Sequence, residues 1–279
     1  MQSFTQKKFY SFRADASALG GFLEEPFEKN IPTLAPVSLS AVGGFATARS
    51  EAFNLDQIVS CSSAYTRVSG REHEDGSVSI LVASVVEDLN ILEVVRARRI
   101  VAQVSISIPS EAGPLRYSSA GSGFEGLRLA GRDCVPNLSS ALHQPEGGPG
   151  VHGSPRSWED IQLPARKQAD NLVGWFKGRG EDAGRWAMAR HGWMMTSAPE
   201  QRAGGPVLCS LVNGFEDKER REDCGHIVEI PGFGRIFLAE LLVSRHSVQL
   251  VGIRAELGCP VSGQIGVATS GGGGQGNRD

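Results

Sequence analysis

Residues 77–108 read SVSILVASVVEDLNILEVVRARRIVAQVSISI, and this stretch decides the fold class. It contains no glycine or proline, although the chain of 279 residues holds 35 Gly and 14 Pro. From Ile100 to Ile108, β-branched and small apolar residues alternate with polar ones, which is typical of a strand with one face in a core. The density of Val and Ile also favours a strand over a helix in residues 85–96, with a bend at Asp88 or Asn90. We therefore predict at least two long strands here.

A second block of strand-like sequence follows Pro206. Between His226 and Thr269, four apolar segments of strand length are separated by short turns, which is the spacing of an antiparallel meander. Together the two blocks predict a mainly β protein, built as an antiparallel sandwich or barrel. We expect one β-rich domain over residues 1–269.

Residues 139–205 differ in composition from both blocks. All four tryptophans lie in this segment, and Gly/Pro-rich sequence marks both of its ends. Residues 164–189 carry an apolar stripe at helical spacing. We interpret the segment as a partly helical insertion or a lid, although a shifted reading frame would produce a similar composition. Residues 270–279, SGGGGQGNRD, offer no apolar side chains, so we expect a disordered tail.

Two runs in the first block resemble a known family. The run LNILEVVRARRIVAQVSI, followed by GSGFEGLRLAG, is similar to the strand-rich domains of bacterial secreted proteins called choice-of-anchor, over residues 89–131. The resemblance implies β architecture and carries over no catalytic residues. This chain departs from that pattern because its sequence shows neither a leader nor a C-terminal anchor.

Composition limits the classes of partner and compartment. The net charge of −3 provides no general attraction to nucleic acid, and between Trp158 and Glu200 six basic residues are cancelled by six acidic ones. No apolar run is long enough to form a transmembrane helix, and the first residues lack the apolar core of a signal peptide. We expect a soluble cytoplasmic protein, with export without a leader as the alternative. The five cysteines are predicted to be reduced.

Three residues are the candidates for acid–base chemistry. Glu240 lies within the apolar run FLAELLV, so burial would raise the pKa of its carboxyl and make it useful as a general acid or base. Arg254 lies in a similar strand and is the candidate ion-pair partner, which would make the pair structural instead. His226 is the third polar group of this candidate site.

Metal and dinucleotide motifs are incomplete. Cys224 and His226 are two residues apart and would share one face of a strand, and Cys209 or Cys259 would have to supply a third zinc ligand. Residues 121–126 match GxGxxG by letter, but strand-like sequence follows where a dinucleotide site needs a helix. We therefore predict a glycine-rich hairpin loop there, no cofactor and no resident metal.

Two functions remain open at this point. The first is a non-enzymatic β-rich binding or structural module. The alternative is a β-barrel small-ligand carrier or enzyme, with a polar group in an apolar cavity and the tryptophan-rich segment as its lid. The partners that fit these readings are a small apolar molecule or another protein.

Overall fold

The computed structural model describes residues 10–26, 28–110, 113–139, 142, 156–196, 205–216, 225–258 and 260–276. Within these ranges the strands are β1 (Tyr10–Glu25), β2 (Lys29–Leu34), β3 (Val37–Ser38), β4 (Gly44–Ser50), β5 (Phe53–Leu55), β6 (Val59–Cys61), β7 (Ser63–Glu72), β8 (Val78–Ile91), β9 (Val95–Ile108), β10 (Arg116–Ser118), β11 (Gly123–Glu125), β12 (Arg128–Leu129), β13 (Arg132–Asp133), β14 (Pro136–Leu138), β15 (Arg156–Ser157), β16 (Val207–Ser210), β17 (Val212–Phe215), β18 (Ile227–Ile230), β19 (Gly234–Val243), β20 (Ser247–Leu257) and β21 (Ser262–Gly276). The helices are α1 (Trp158–Gly178), α2 (Glu181–His191) and α3 (Trp193–Thr196).

Two antiparallel sheets pack face to face. The smaller sheet has the strand order β16-β19-β20-β21-β1-β2, with β18 beside β19 and β3 beside β1. The larger sheet has the order β13-β12-β9-β8-β6-β5, and β4, β7, β10, β11 and β15 extend it. Neither sheet closes into a barrel within the described ranges. The predicted mainly β, sandwich-type fold is therefore confirmed, and the barrel form of that prediction is wrong.

The opening stretch forms the centre of the larger sheet. Its two predicted strands are β8 and β9, which pair along almost their whole length. Asp88 has a φ of 50° and is skipped in the pairing register, so the predicted bend lies at this residue. Leu92 and Glu93 also have positive φ values, of 49° and 60°, and they form the hairpin turn. Side chains of β8 and β9 alternate between the core and an outer face that is half exposed.

Residues 270–276 of the glycine-rich tail form strand, which corrects the prediction of disorder for them, and residues 277–279 lie outside the described residues. Residues 262–276 form β21, which lies between β20 and β1 in the middle of the smaller sheet. Gly272 faces the larger sheet, where a Cβ atom would lie 2.8 Å from Cδ1 of Ile106. At Gly272 the opposite sheet fills the space that a side chain would need. The composition predicts that this segment has no side chain to bury, but in the structure the backbone of the glycine run is itself buried.

A bend crosses the smaller sheet at the level of Ala239 in β19. Ala239 and Ala268 have φ values of 46° and 53°, and the alternation of buried side chains shifts by one residue there. As a result, Leu250 and Ile253 both face the core, although residues three apart in a regular strand point to opposite faces. This shift explains why the sequence of β20 is apolar on more than one face.

The helices of the predicted insertion cover the end of the smaller sheet. Ser157 and Asp160 form a capping box that begins α1. The Gln168 amide then accepts from Ser210 N at 2.7 Å and donates to the Val212 carbonyl at 3.2 Å, so α1 satisfies the open edge beside β16. None of the described helices combines the length and the apolarity needed to cross a bilayer.

Candidate functional site

The three predicted site residues meet beneath α2, on the outer side of the smaller sheet. Glu240 is 6% exposed and lies in β19 next to the bend. Arg254 of β20 donates to it from Nε at 2.6 Å and from Nη2 at 3.3 Å. Arg190, near the end of α2, donates to the same carboxylate through Nη2. The structure therefore brings together the predicted pair and adds a second guanidinium to it.

Ion pairing sets the protonation state of Glu240. Burial alone would raise the pKa of its carboxyl. The hydrogen bond and charge of Arg254, together with the charge of Arg190, outweigh burial and hold the pKa below its usual value. This direction is opposite to the raised pKa that the sequence suggested for a lone buried carboxyl. Glu240 is thus a stable anion whose two oxygens are both occupied, which does not suit a proton donor.

The ring of Phe237 contacts both arginines of this cluster. The guanidinium carbons of Arg254 and Arg190 lie 3.7 Å and 4.6 Å from the centroid of Phe237. Such contacts stabilise a partly desolvated cation. Phe237 in turn lies 6.1 Å from the ring of Trp186 in α2, so the helix and the strand share one aromatic layer.

A second ion-paired layer lies beside the first. Arg235 donates to Glu229 at 2.7 Å, and its guanidinium carbon lies 4.1 Å from the centroid of Trp186. Arg179, at the end of α1, lies 3.9 Å from the same carboxylate and stacks on Trp175. Each of the two ion-paired layers thus combines a carboxylate, arginines and an aromatic ring. This repeated pattern fixes the two helices on the sheet.

Two histidines are buried in the cluster. His226 and His191 are each 1% exposed. Neither His191 nitrogen, nor Nδ1 of His226, has a partner among the described residues. Burial lowers the pKa of His226 to about 3 and that of His191 to about 4. Both rings are therefore neutral near pH 7.

Of the four candidate metal ligands, the structure describes Cys209 and His226. Cys224 and Cys259, two of the cysteines considered as ligands, lie outside the described residues. The buried thiol of Cys209 donates to the Leu241 carbonyl at 3.6 Å. Within the described ranges, no group of three or more Cys, His, Asp or Glu side chains is placed to hold a metal ion.

Sequence reasoning missed three members of this cluster. Arg190 and His191 lie in the insertion, about fifty positions from Glu240, and nothing local connects them. The sequence predicts Phe237 only as one residue of an apolar strand. The sequence does contain one signal, because Arg190 and His191 are basic residue types in the last turn of a helix whose first turn is acidic. That signal indicates a helix end, but it does not indicate which strand the end contacts.

A separate feature lies on the outer face of the larger sheet. A groove of about 460 Å³ runs across β7, β8 and β9. The outward-pointing residues that line it are four serines, one arginine and one leucine: Ser69, Arg71, Ser79, Leu81, Ser105 and Ser107. Neither this groove nor a depression of about 310 Å³ between α1 and α2 includes Glu240, Arg254 or His226.

Strand pairing arranges the groove residues in two rows. Arg71 pairs with Ser79, which pairs with Ser107, and these three form the first row. Phe45, Ser69, Leu81 and Ser105 form the second row across β4, β7, β8 and β9. Cross-strand partners point to the same face with their Cβ atoms about 5 Å apart. Successive rows lie about 7 Å apart along the strands.

Comparison with known proteins identifies the chain by family alone. No curated protein and no solved structure matches it. A family model, described as Domain of unknown function (DUF8256), matches residues 9–244. The match ends before β20 and β21, so two central strands of the smaller sheet lie outside it. Because the model covers most of the chain, this protein belongs to the DUF8256 family.

Proposed function

We propose that this protein is a non-enzymatic binding module that uses the outer face of the larger sheet. The observation that carries the proposal is the groove across β7, β8 and β9, whose lining combines four serines and one arginine with Leu81, two isoleucines and two glycines. Concave surfaces with a few convergent polar groups are the usual place of ligand sites. A rigid antiparallel sheet holds these groups in fixed rows.

The Glu240 cluster supports a structural role for the other candidate site. Its carboxylate is held by two arginines, and both cations also contact Phe237. Paired buried charges of this kind are more often architectural than reactive. We assign the cluster the task of fixing α2 on the smaller sheet. The helical segment is then a bound cap and not a moving lid.

The ligand of such a groove is a polar molecule and not the small apolar molecule suggested by the sequence. Serine hydroxyls both donate and accept hydrogen bonds, and an exposed arginine favours an anion. Leu81 adds one apolar surface at the groove floor. This composition suits an extended polar ligand that lies across the strands.

The proposal is tested by comparing ligand binding to the parent chain with binding to a variant whose groove is blocked. The full chain is applied to an array of neutral and acidic oligosaccharides and peptides, beside Ser105→Trp, which places a bulky ring in the groove at an exposed position. Gln249→Trp is the matched control, because Gln249 is equally exposed on β20 of the other sheet. We expect Ser105→Trp to lose the bound ligands and the control to keep them.

Two results would contradict the proposal. The first is binding that survives Ser105→Trp, or no binding to any member of the array. The second is chemical conversion of a bound ligand during incubation, measured by mass spectrometry. Both variants must melt within a few degrees of the parent, so that loss of binding reports on the groove and not on folding.

A further inference from the structure

We propose that the groove binds an acidic oligosaccharide, with Arg71 holding a carboxylate or sulfate group and the exposed ring of Phe45 contacting a sugar. This inference rests on the proposed binding role of the outer face and names its ligand class. The ligand is an oxyanion carried on a hydroxyl-rich chain. Both oligosaccharides of uronic acids and sulfated oligosaccharides have this chemistry.

Arg71 supplies the charge for the oxyanion. It is exposed at the end of the first row, and no carboxylate of the described residues lies within ion-pairing distance of its guanidinium. No residue lining the groove carries a carboxylate either. An arginine fork binds a carboxylate or sulfate through two parallel hydrogen bonds. The groove therefore presents a local positive site on a chain whose net charge is −3.

The far end of the first row is less available to a ligand. Arg116 pairs with Ser107 and continues the row into β10. The Ser157 backbone N–H and, to a smaller extent, the charge of Arg116 lower the pKa of Asp160. Arg116 thus already faces a carboxylate on α1. Arg71 is the cation that the groove itself offers.

Serine hydroxyls supply the neutral polar contacts. The hydroxyls of Ser69 and Ser107 make no hydrogen bond with any described residue. Ser79 is bonded to the His73 ring at 2.9 Å, which fixes its hydroxyl at the Arg71 end of the groove. Each hydroxyl can donate one hydrogen bond and accept two, which matches the hydroxyl groups of a sugar.

Phe45 provides an apolar surface at the open edge. Its side chain is 61% exposed on β4, at the end of the row that contains Ser69 and Ser105. The guanidinium carbon of Arg67 lies 5.1 Å from the ring centroid and helps to hold the ring in place. An exposed, supported ring beside a hydroxyl-lined groove is suited to the C–H face of a sugar. An inorganic anion would gain nothing from this ring.

Calorimetric titration of the full chain tests the proposal. The probes are a hexagalacturonate, a heparin-derived hexasaccharide, the neutral maltohexaose and sodium sulfate. We expect one of the two acidic hexasaccharides to bind, which also identifies the acid source, and at least tenfold weaker binding of maltohexaose. Arg71→Gln should weaken the bound acidic probe tenfold or more. Arg49→Gln, an exposed arginine of β4 outside the groove, should leave it unchanged.

Phe45→Ala separates a sugar site from a simple anion site. We expect this variant to weaken the acidic hexasaccharide and to leave any sulfate binding as it was. Equal affinity for sulfate and for the hexasaccharide would overturn the proposal, and so would equal losses in Arg71→Gln and Arg49→Gln.

The same titrations distinguish a failure of the acidic-ligand inference from a failure of the proposed binding function. Binding of maltohexaose that Ser105→Trp abolishes, with no effect of Arg71→Gln, would refute the acidic ligand and keep the binding role. If no hexasaccharide binds, or if binding survives Ser105→Trp, both proposals fail.

Discussion

Arg254 donates to Glu240 from Nε at 2.6 Å and from Nη2 at 3.3 Å, and this pair joins two neighbouring strands on the buried outer side of the smaller sheet. Arg254 is directly opposite Phe237 in the strand register, so its side chain runs along the sheet to reach Glu240. Arg190 of α2 completes the cluster from the helix side. The pair therefore serves as the attachment point of the helical segment.

Removing the Glu240 charge should destabilise the protein strongly. Glu240→Gln leaves the partly buried Arg190 without this anion and leaves Arg254 with Glu256 alone, so we expect a loss of about 3 kcal/mol in the free energy of unfolding. Urea denaturation followed by circular dichroism measures the change. Glu125→Gln is the control, because its partner Arg98 is highly exposed and such pairs contribute about 0–1 kcal/mol. Similar losses in the two variants would contradict the structural role.

A methyl group on β21 should disturb the packing of the two sheets. Gly272→Ala places a Cβ atom 2.8 Å from Cδ1 of Ile106, and we expect it to cost about 1–3 kcal/mol. Gly266→Ala in the same strand is the control, since its Cβ would meet no atom closer than 3.9 Å. Thermal unfolding compares the two. A lower melting temperature in the control than in Gly272→Ala would count against the close approach.

Truncation at the family boundary should prevent folding. A chain that ends at residue 244 lacks β20 and β21, so β19 and β1 lose the strands that pair with them. We expect an insoluble or protease-sensitive product. A chain ending at Gly276 keeps all of β21 and should fold like the parent. A soluble, protease-resistant product from the shorter chain would show that the sheet forms without its centre.

Acid should weaken the protein through its buried histidines. Their pKa values are lowered in the folded state, to about 3 for His226 and about 4 for His191. The unfolded chain titrates near the ordinary value of about 6.5, so it binds more protons below that pH. Stability is therefore complete above about pH 6.5 and is lost as the pH falls toward 4. The slope is at most about 1.4 kcal/mol per pH unit for each histidine.

Substitution identifies the residue responsible. His226→Leu should remove its share of this slope, measured as urea midpoints between pH 7 and pH 5. His246→Gln changes an exposed turn residue and should leave the slope unchanged. An unaltered slope in His226→Leu would assign the acid sensitivity to other groups.

The sequence by itself determined the β architecture and the composition of the candidate pair. The period of two in residues 100–108 is a local property, because adjacent side chains of a strand must point to opposite faces. Glu240 and Arg254 were identifiable because a charge within an apolar strand needs a partner. Helix formation in residues 164–189 could also be predicted from the apolar stripe in the sequence, and the structure has α1 and α2 in this stretch.

Tertiary structure alone decided the rest. The sequence predicts disorder over residues 270–279 because they offer no apolar side chains. Residues 270–276 nevertheless form strand, and at Gly272 the close approach of Ile106 on the opposite sheet leaves no room for a side chain. Arg190 joins Glu240 only because the helices fold back over β19, which no local pattern encodes. The groove likewise depends on register, since only strand pairing places Arg71 beside Ser79 and Ser107. Contacts between distant segments are properties of the assembled sheets, and the periodicity of a single segment does not contain them.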